Sequence, residues 1–269
     1  MGTNLREIVS SIKRDLGIQI RRGMHPNNFD LVDDYESHID PEVQHFVHRR
    51  KIEELLPTLS SEGAVSCRVL EVGCGSGKFC SRLIHETAMY APNLELEVFG
   101  IEISRLQAQH ASQIGTLRTT QGSMLRMPFR TGSFDVVVLV NSLHHLDTPE
   151  EQTRALSECA RILRSDGLCV VHEMSMRNPI FRFYMKHVFW RINAIDNGAE
   201  VFIKDCPFQE PLRLERETFF SWLPQFLPAT IFRWLLPVNA RLDRWFPRGG
   251  AHVCWVARKV EVRSQVGWN

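Results

Sequence analysis

Between Val69 and Phe79 the chain reads Val-Leu-Glu-Val-Gly-Cys-Gly-Ser-Gly-Lys-Phe. An apolar run ends in Gly73, Gly75 and Gly77 and passes into a segment patterned as a helix. Glycines at alternate positions let a backbone turn tightly and come close to a ligand with no Cβ in the way. The helix behind them adds unpaired N–H groups. Three ligand chemistries use such turns. A dinucleotide fingerprint needs Gly or Ala where Lys78 stands, and a phosphate-binding P-loop needs Gly and Ser/Thr where Val72 and Phe79 stand. The pattern that fits every fixed position is acid-x-Gly-x-Gly-x-Gly, beginning at Glu71. A second acid, Glu102, ends the next apolar run, Leu-Glu-Val-Phe-Gly-Ile-Glu. A carboxylate there can accept two hydrogen bonds from a ribose diol, although the glycine-to-acid spacing exceeds the usual span of about 20 residues. Base chemistry has three candidates at strand ends, His144, His145 and His172, the last followed by Glu173. A neutral imidazole can take a proton near neutral pH.

These residues need a frame, and the sequence between Cys67 and Met174 supplies one. Apolar strand patterns (CRVLEVG, LEVFGIE, a weaker one at Leu117–Gln121, FDVVVLVN, LCVVHEM) alternate with helical patterns (KFCSRLIHETAMY, SRLQAQHASQIG, PEEQTRALSECARILR). Short links between them predict a parallel sheet with helices on both faces. Residues 1–60 show helical spacing only. Ile8, Ile12, Leu16 and Ile20 make one face, and a helix is expected from about Pro41 to Leu56 with Asp40 as its cap. Beyond residue 175 two further helical faces are read, one from Phe181, Tyr184, Met185, Val188 and Ile192, the other from Phe219, Trp222, Leu223, Phe226 and Leu227. A last pair of strands is expected at Thr230–Leu235 and His252–Lys259.

The composition is that of a globular chain: 269 residues, 43% hydrophobic, 23% charged and a net charge of +1. That charge leaves no global footprint for nucleic acid. The longest uncharged stretch, Thr218 to Phe232, contains two prolines and is too short to span a bilayer. The first residues lack the apolar core of a signal peptide, and Arg6 breaks a myristoylation pattern. Seven cysteines with no Cys-x-x-Cys pair read as buried thiols in a reducing, cytoplasmic setting. No cluster of metal ligands stands out.

At this point the sequence resembles a known family, the class I S-adenosylmethionine-dependent methyltransferases of small-molecule type, similar to those of quinone pathways. Besides the glycine turn and Glu102, four segments carry the resemblance: Gln121-Gly-Ser-Met124, Met127-Pro-Phe129 with Ser133-Phe-Asp135, Asn141-Ser-Leu-His-His-Leu146, and Leu163-Arg-Ser-Asp-Gly167. It covers residues 45–175 well and the rest loosely.

The resemblance implies a Rossmann-like sheet of seven strands. It implies a helical cap or lid over 1–60, a cofactor core over 61–175, a helical acceptor-side insert over 176–228 and closing strands over 229–269. It implies S-adenosylmethionine as cofactor. Glu71 and Gly73 then line its methionine end, Gly75 and Gly77 let the backbone pass close, and Glu102 with Ile103 holds the ribose side. Ser123 and Met124 meet the adenine, and Asn141 lies beside the methionine moiety. Ser123 departs from the Asp often found there, and a hydroxyl bonds the adenine amino group less strongly than a carboxylate. Tyr35 and His38 are candidates for a lid.

The acceptor is expected to be a small or lipid-like molecule methylated on oxygen or carbon. The segment 175–250, rich in Phe and Trp interleaved with Arg and Lys, can line an apolar pocket or lie on a membrane surface. The competing readings are a protein- or RNA-directed methyltransferase and a non-catalytic cofactor-binding module.

Overall fold

In the computed structural model, described over residues 39–60, 66–189, 200–225 and 227–261, seven strands form one sheet. The expectations on Ile8, Ile12, Leu16, Ile20, Tyr35, His38, Ile192 and Phe226 lie outside the described residues. In chain order the elements are α1 (Pro41–Ser60), β1 (Ser66–Val72), α2 (Lys78–Tyr90), β2 (Glu95–Glu102), α3 (Arg105–Ser112), β3 (Leu117–Gln121) and β4 (Phe134–Val140). A 3-10 turn (Leu143–His145), α4 (Pro149–Ile162), β5 (Leu163–Met174), α5 (Pro179–Tyr184), β6 (Leu212–Phe220), α6 (Ala229–Trp245) and β7 (His252–Lys259) follow. The strand order is β3-β2-β1-β4-β5-β7-β6. Strands β1 to β5 pair in parallel, and β7 runs antiparallel to both neighbours.

Local chemistry explains the helix starts. Asp40 accepts from Glu42 N at 3.0 Å ahead of Pro41, as the capping pattern predicts. Ser104 caps α3 through Gln107 N (3.1 Å), and Thr148 caps α4 through Glu151 N (3.1 Å). The sheet alternates its side chains between two cores. Val137, Leu139, Val171 and Trp255 face one, with α4; Val136, Val138, Val170 and Cys254 face the other, with α1 and α2. All seven cysteines are free thiols, and six are buried.

The end of the chain corrects the sequence expectation. The strand partner of β7 is Leu212–Phe220, and Thr230–Leu235 lies inside helix α6. The sixth strand is therefore within the stretch expected to be a helical insert. Phe219 belongs to this strand, and the Phe219–Leu227 helix is absent from the described residues there. Strand β6 is an edge strand carrying Arg213, Glu215, Arg216 and Glu217, with a register shift at Leu214/Arg216. Charges and bulges protect such an edge from mispairing and also mask its apolar alternation. Thr230–Leu235 has strand-like residue types, but packing decides. Phe232, Leu235 and Leu236 recur at helical spacing and pack with Val43 and Phe46 of α1.

The α6 segment is pinned by one side chain. Asn239 is 4% exposed, and its Oδ1 accepts from Trp222 N (2.7 Å) and Leu223 N (3.2 Å). Replacing it by Ala leaves two backbone donors without their acceptor, at about 1–3 kcal/mol for a buried unsatisfied group. Asn239→Ala is expected to lower the urea midpoint accordingly with an unchanged m-value, measured by circular dichroism.

Candidate active site

The carboxyl ends of β1, β2 and β4 converge on the glycine turn. Gly73 N and Cys74 N donate to Ile101 O (2.8 and 3.1 Å), which ties the turn to β2. Gly73, Gly75 and Gly77 all have positive φ (74°, 52° and 81°). A Cβ on Gly73 would lie 2.7 Å from Ser142 Cβ, so only glycine lets β1 and the end of β4 approach this closely. Ser142 Oγ closes the contact by donating to Val72 O at 2.9 Å. A Cβ on Gly75 would meet nothing within 4 Å. The turn is therefore packed from below at Gly73 and open above Gly75.

The two acids are both buried, at 3% exposure for Glu71 and 6% for Glu102. Glu102 Oε2 accepts from Gly75 N (2.8 Å) and Oε1 from Ser104 N (2.9 Å). Glu102 thus holds the glycine turn from the end of β2. Glu71 Oε2 accepts from Cys80 Sγ at 2.8 Å. Burial and this neighbouring carboxylate push the Cys80 thiol well above its ordinary value, so it is an inert donor.

The remaining expected contacts are distributed around the same edge. Ile103 is half-buried next to Glu102. Ser123 Oγ accepts from Leu125 N at 3.2 Å, so its hydroxyl serves the local turn. Met124 packs against the core, and its Cε lies 3.7 Å from the Cβ position of Gly73. The loop behind them is strapped to α4. Arg161 donates to Phe129 O (2.8 Å) and Met127 O (3.0 Å), and Glu158 accepts from Met127 N (3.0 Å).

Asn141 ends β4 with φ 49°, a left-handed conformation that Asn tolerates better than most residues. Its Oδ1 is buried and has no hydrogen-bond partner. A buried acceptor without a donor is costly. An ammonium is the kind of group that would satisfy it, and S-adenosylmethionine carries one at its methionine end. The open space over Gly75, the acid at the end of β2 and this acceptor fit that cofactor.

The three histidines do not form one cluster. His144 Nδ1 is 2.6 Å from Glu173 Oε2, and the pair is 3% and 2% exposed. Glu173 Oε1 accepts from Leu143 N at 2.9 Å, which fixes the carboxylate. The insert after β5 covers the pair: Phe202 stacks on His144 with ring centroids 5.5 Å apart, and Val201 N donates to His144 O. Glu173 as orienting partner was visible only as a neighbour of His172, and its pairing with His144 is set by the sheet. His145 lies half-buried against His144, with centroids 4.1 Å apart, and burial followed by the His144 charge lowers its pKa.

His172 points to the other face of β5. It is fully buried, in an edge contact with Phe220, with Cys254 Sγ 3.8 Å from its Nε2. His252 stacks on the same Phe220 ring at 5.2 Å. Burial and then the Lys51 charge pull both imidazoles down, His252 to about 3.

Residues 70–171 match the family described as a methyltransferase domain. Over these residues the chain is similar to class I S-adenosylmethionine-dependent methyltransferases. S-adenosylmethionine is the cofactor that this family implies. A demethylmenaquinone methyltransferase of Deinococcus radiodurans is 29% identical over 62% of this chain and 68% of its own length. A probable tRNA methyltransferase of Mus musculus is 26% identical over 45% of this chain and 24% of its own length. The chain spans less than half the length of most of the curated relatives that it matches. Among solved structures, the putative methyltransferase in complex with a Haloferax volcanii methyltransferase activator shares the fold, with a TM-score of 0.58. It is 16% identical and covers 90% of this chain and all of that one.

The buried histidines set a pH dependence. Imidazoles held neutral by the fold are protonated in the unfolded chain below about pH 6.5. Their folded pKa is lowered, so stability is complete above that pH and is lost as pH falls toward the folded values. The unfolding free energy is expected to drop by about 1.4 kcal/mol for each of His172 and His252 between about pH 7.5 and pH 5.5. Urea titrations at the two pH values measure it, and His252→Phe, which keeps the stack on Phe220, is expected to remove one histidine's share.

Proposed function

We propose that the chain transfers a methyl group from S-adenosylmethionine to an oxygen or carbon of a small apolar, lipid-like acceptor. The carrying observation is the buried His144–Glu173 pair beside the cofactor edge. The cofactor supplies a methyl group on a sulfonium, an already activated leaving group. Amine acceptors carry a lone pair and need no base, whereas a hydroxyl or a carbon acid must lose a proton. With its proton on Nδ1, bonded to Glu173, His144 presents Nε2 as the basic nitrogen. Nε2 takes the acceptor's proton, and the Glu173 carboxylate stabilises the imidazolium so formed. Asn141 Oδ1 and the glycine turn hold the cofactor's methionine end, and Glu102 holds its ribose. Phe202 and Val201 cover His144, which favours an in-line arrangement in a dry site. Similarity to a demethylmenaquinone methyltransferase supports an apolar acceptor.

One observation favours a second reading, an RNA acceptor. Between α1 and α2 lies an open groove of about 560 Å³ lined by His45, His48, Lys78, Arg82 and His85, an arrangement suited to phosphates. Similarity to a tRNA methyltransferase accompanies it.

His144→Asn keeps a donor toward Glu173 and removes the base. It is expected to lower kcat by about 10²–10⁴-fold while S-adenosylhomocysteine affinity by titration calorimetry stays at the wild-type value. Glu102→Ala is expected to weaken that affinity by about 1.5–3 kcal/mol. Radiolabelled methyl transfer to a hydroxylated lipid extract, set beside total tRNA, decides between acceptors. Label in tRNA alone overturns the apolar reading.

A further inference from the structure

A β-hairpin closes with two to five residues, yet residues 221–251 intervene between β6 and β7. The insertion leaves and re-enters at the carboxyl edge of the parallel strands, because Phe220 pairs with His252 and His252 pairs with Met174. It carries helix α6, and α6 is apolar on both sides. One side packs on α1, with Phe232 2% exposed and 5.2 Å from Phe46. On the other side stand Ile231, Trp234, Val238 and Trp245, at helical spacing and 47%, 82%, 43% and 67% exposed. Phe246 follows at 56%. Exposed aliphatic and aromatic residues scattered singly need no explanation, but a continuous row does.

The exposed charges that α6 and its end carry are cationic, and one of them, Arg233, is paired with Glu42 of α1 at 3.2 Å. Arg241, Arg244 and Arg248 are exposed. The acid within α6, Asp243, is turned inward and accepts from Asn239 Nδ2 at 3.2 Å. A second short helix lies beside the insertion: Asn178, the cap of α5, donates to Gly249 O at 2.7 Å, and Phe181 and Tyr184 pack with Ala251. Helix α5 exposes Ile180 (48%) and Phe183 (62%).

We infer that the outer row of α6, with Ile180 and Phe183 of α5, is a seat for an anionic lipid surface, on which the helix lies in the plane of the headgroups. Tryptophans enter the headgroup–acyl boundary, and the arginines meet lipid phosphates. Cations flanking an apolar row, with the nearby acid directed inward, complement a negatively charged bilayer. Among the described residues no helix is long and apolar enough to cross a membrane. Because the insertion springs from the carboxyl edge of the sheet, seating α6 brings the cofactor edge to the lipid. An apolar acceptor then reaches that edge without crossing water, a consequence that rests on the function proposed above, whereas the seat itself does not.

The test is co-sedimentation of the full chain with phosphatidylglycerol vesicles and with phosphatidylcholine vesicles, read together with tryptophan emission. Binding to phosphatidylglycerol with a blue shift, weaker on phosphatidylcholine and weakened by salt, is expected. W234E/W245E changes two side chains that stand in solvent. It is expected to lower partitioning at least about tenfold while S-adenosylhomocysteine affinity and Tm stay as in the wild type. R241E/R244E is expected to remove the preference for phosphatidylglycerol. Wild-type protein that remains with neither vesicle, or W234E/W245E that partitions like the wild type, overturns the seat. So does a wild-type dimer that W234E/W245E dissociates without any vesicle binding, since the row then joins two copies. Loss of S-adenosylhomocysteine binding with vesicle binding intact counts against the proposed function and leaves the seat standing.

Discussion

The glycine turn and the start of α3 are joined through one buried carboxylate. Glu102 is 6% exposed, and its two oxygens accept from Gly75 N and Ser104 N. Burying a carboxylate is costly unless hydrogen-bond donors surround it. The glycine turn and the start of α3 supply those donors. The same bonds hold the turn open over Gly75 and start α3 at a fixed angle, with Ser104 as its cap. The need to satisfy one buried charge thus couples the shape of the cradle to the chain that follows β2.

Sheet parity then sorts the remaining chemistry. His172 and Glu173 are neighbours in sequence, but alternate residues of a strand face opposite sides. Glu173 goes to the α4 side, where it meets the turn after β4 and orients His144. His172 goes to the α1 side, among Phe220, Cys254 and His252, where burial keeps it neutral. Two imidazoles of similar sequence prominence therefore have different uses. One is held at the end of β4 by an acid, and the other is part of the core. Burial and then the His144 charge lower the basicity of His145.

How far the sequence was legible follows the same physics. Between Cys67 and Met174 the inner strand β4 and the second half of β5 are apolar on both faces, and α2 and α4 each have one apolar stripe, so the two periods separate there, while β3 (LRTTQ) is the weakest signal. Pro41, Ser104 and Thr148 mark helix starts by local chemistry alone. The glycine turn, Glu102 and Asn141 were visible as types at the right strand ends. The His144–Glu173 pairing was not, because it joins residues 29 apart through sheet register. Strand β6 was missed since an edge strand carries charges on residues that an inner strand would make apolar. Helix α6 was read as a strand because Thr230, Ile231, Phe232 and Trp234 are strand-prone types, and their helical spacing became informative only with α1 as a partner.

An ordinary surface helix shows one apolar stripe on the core side and one polar face. Helix α6 has an apolar arc wider than the side that packs: Phe232, Leu235 and Leu236 meet α1, while Ile231, Trp234 and Val238 continue the arc into solvent. Arg233, Arg241 and Arg244 occupy the remaining arc. Thr230 to Leu236 holds one charge in seven residues, and so short an apolar run does not tell a strand from a helix. The helical reading needs the contact with α1, because Val43 and Phe46 are what Phe232 packs on.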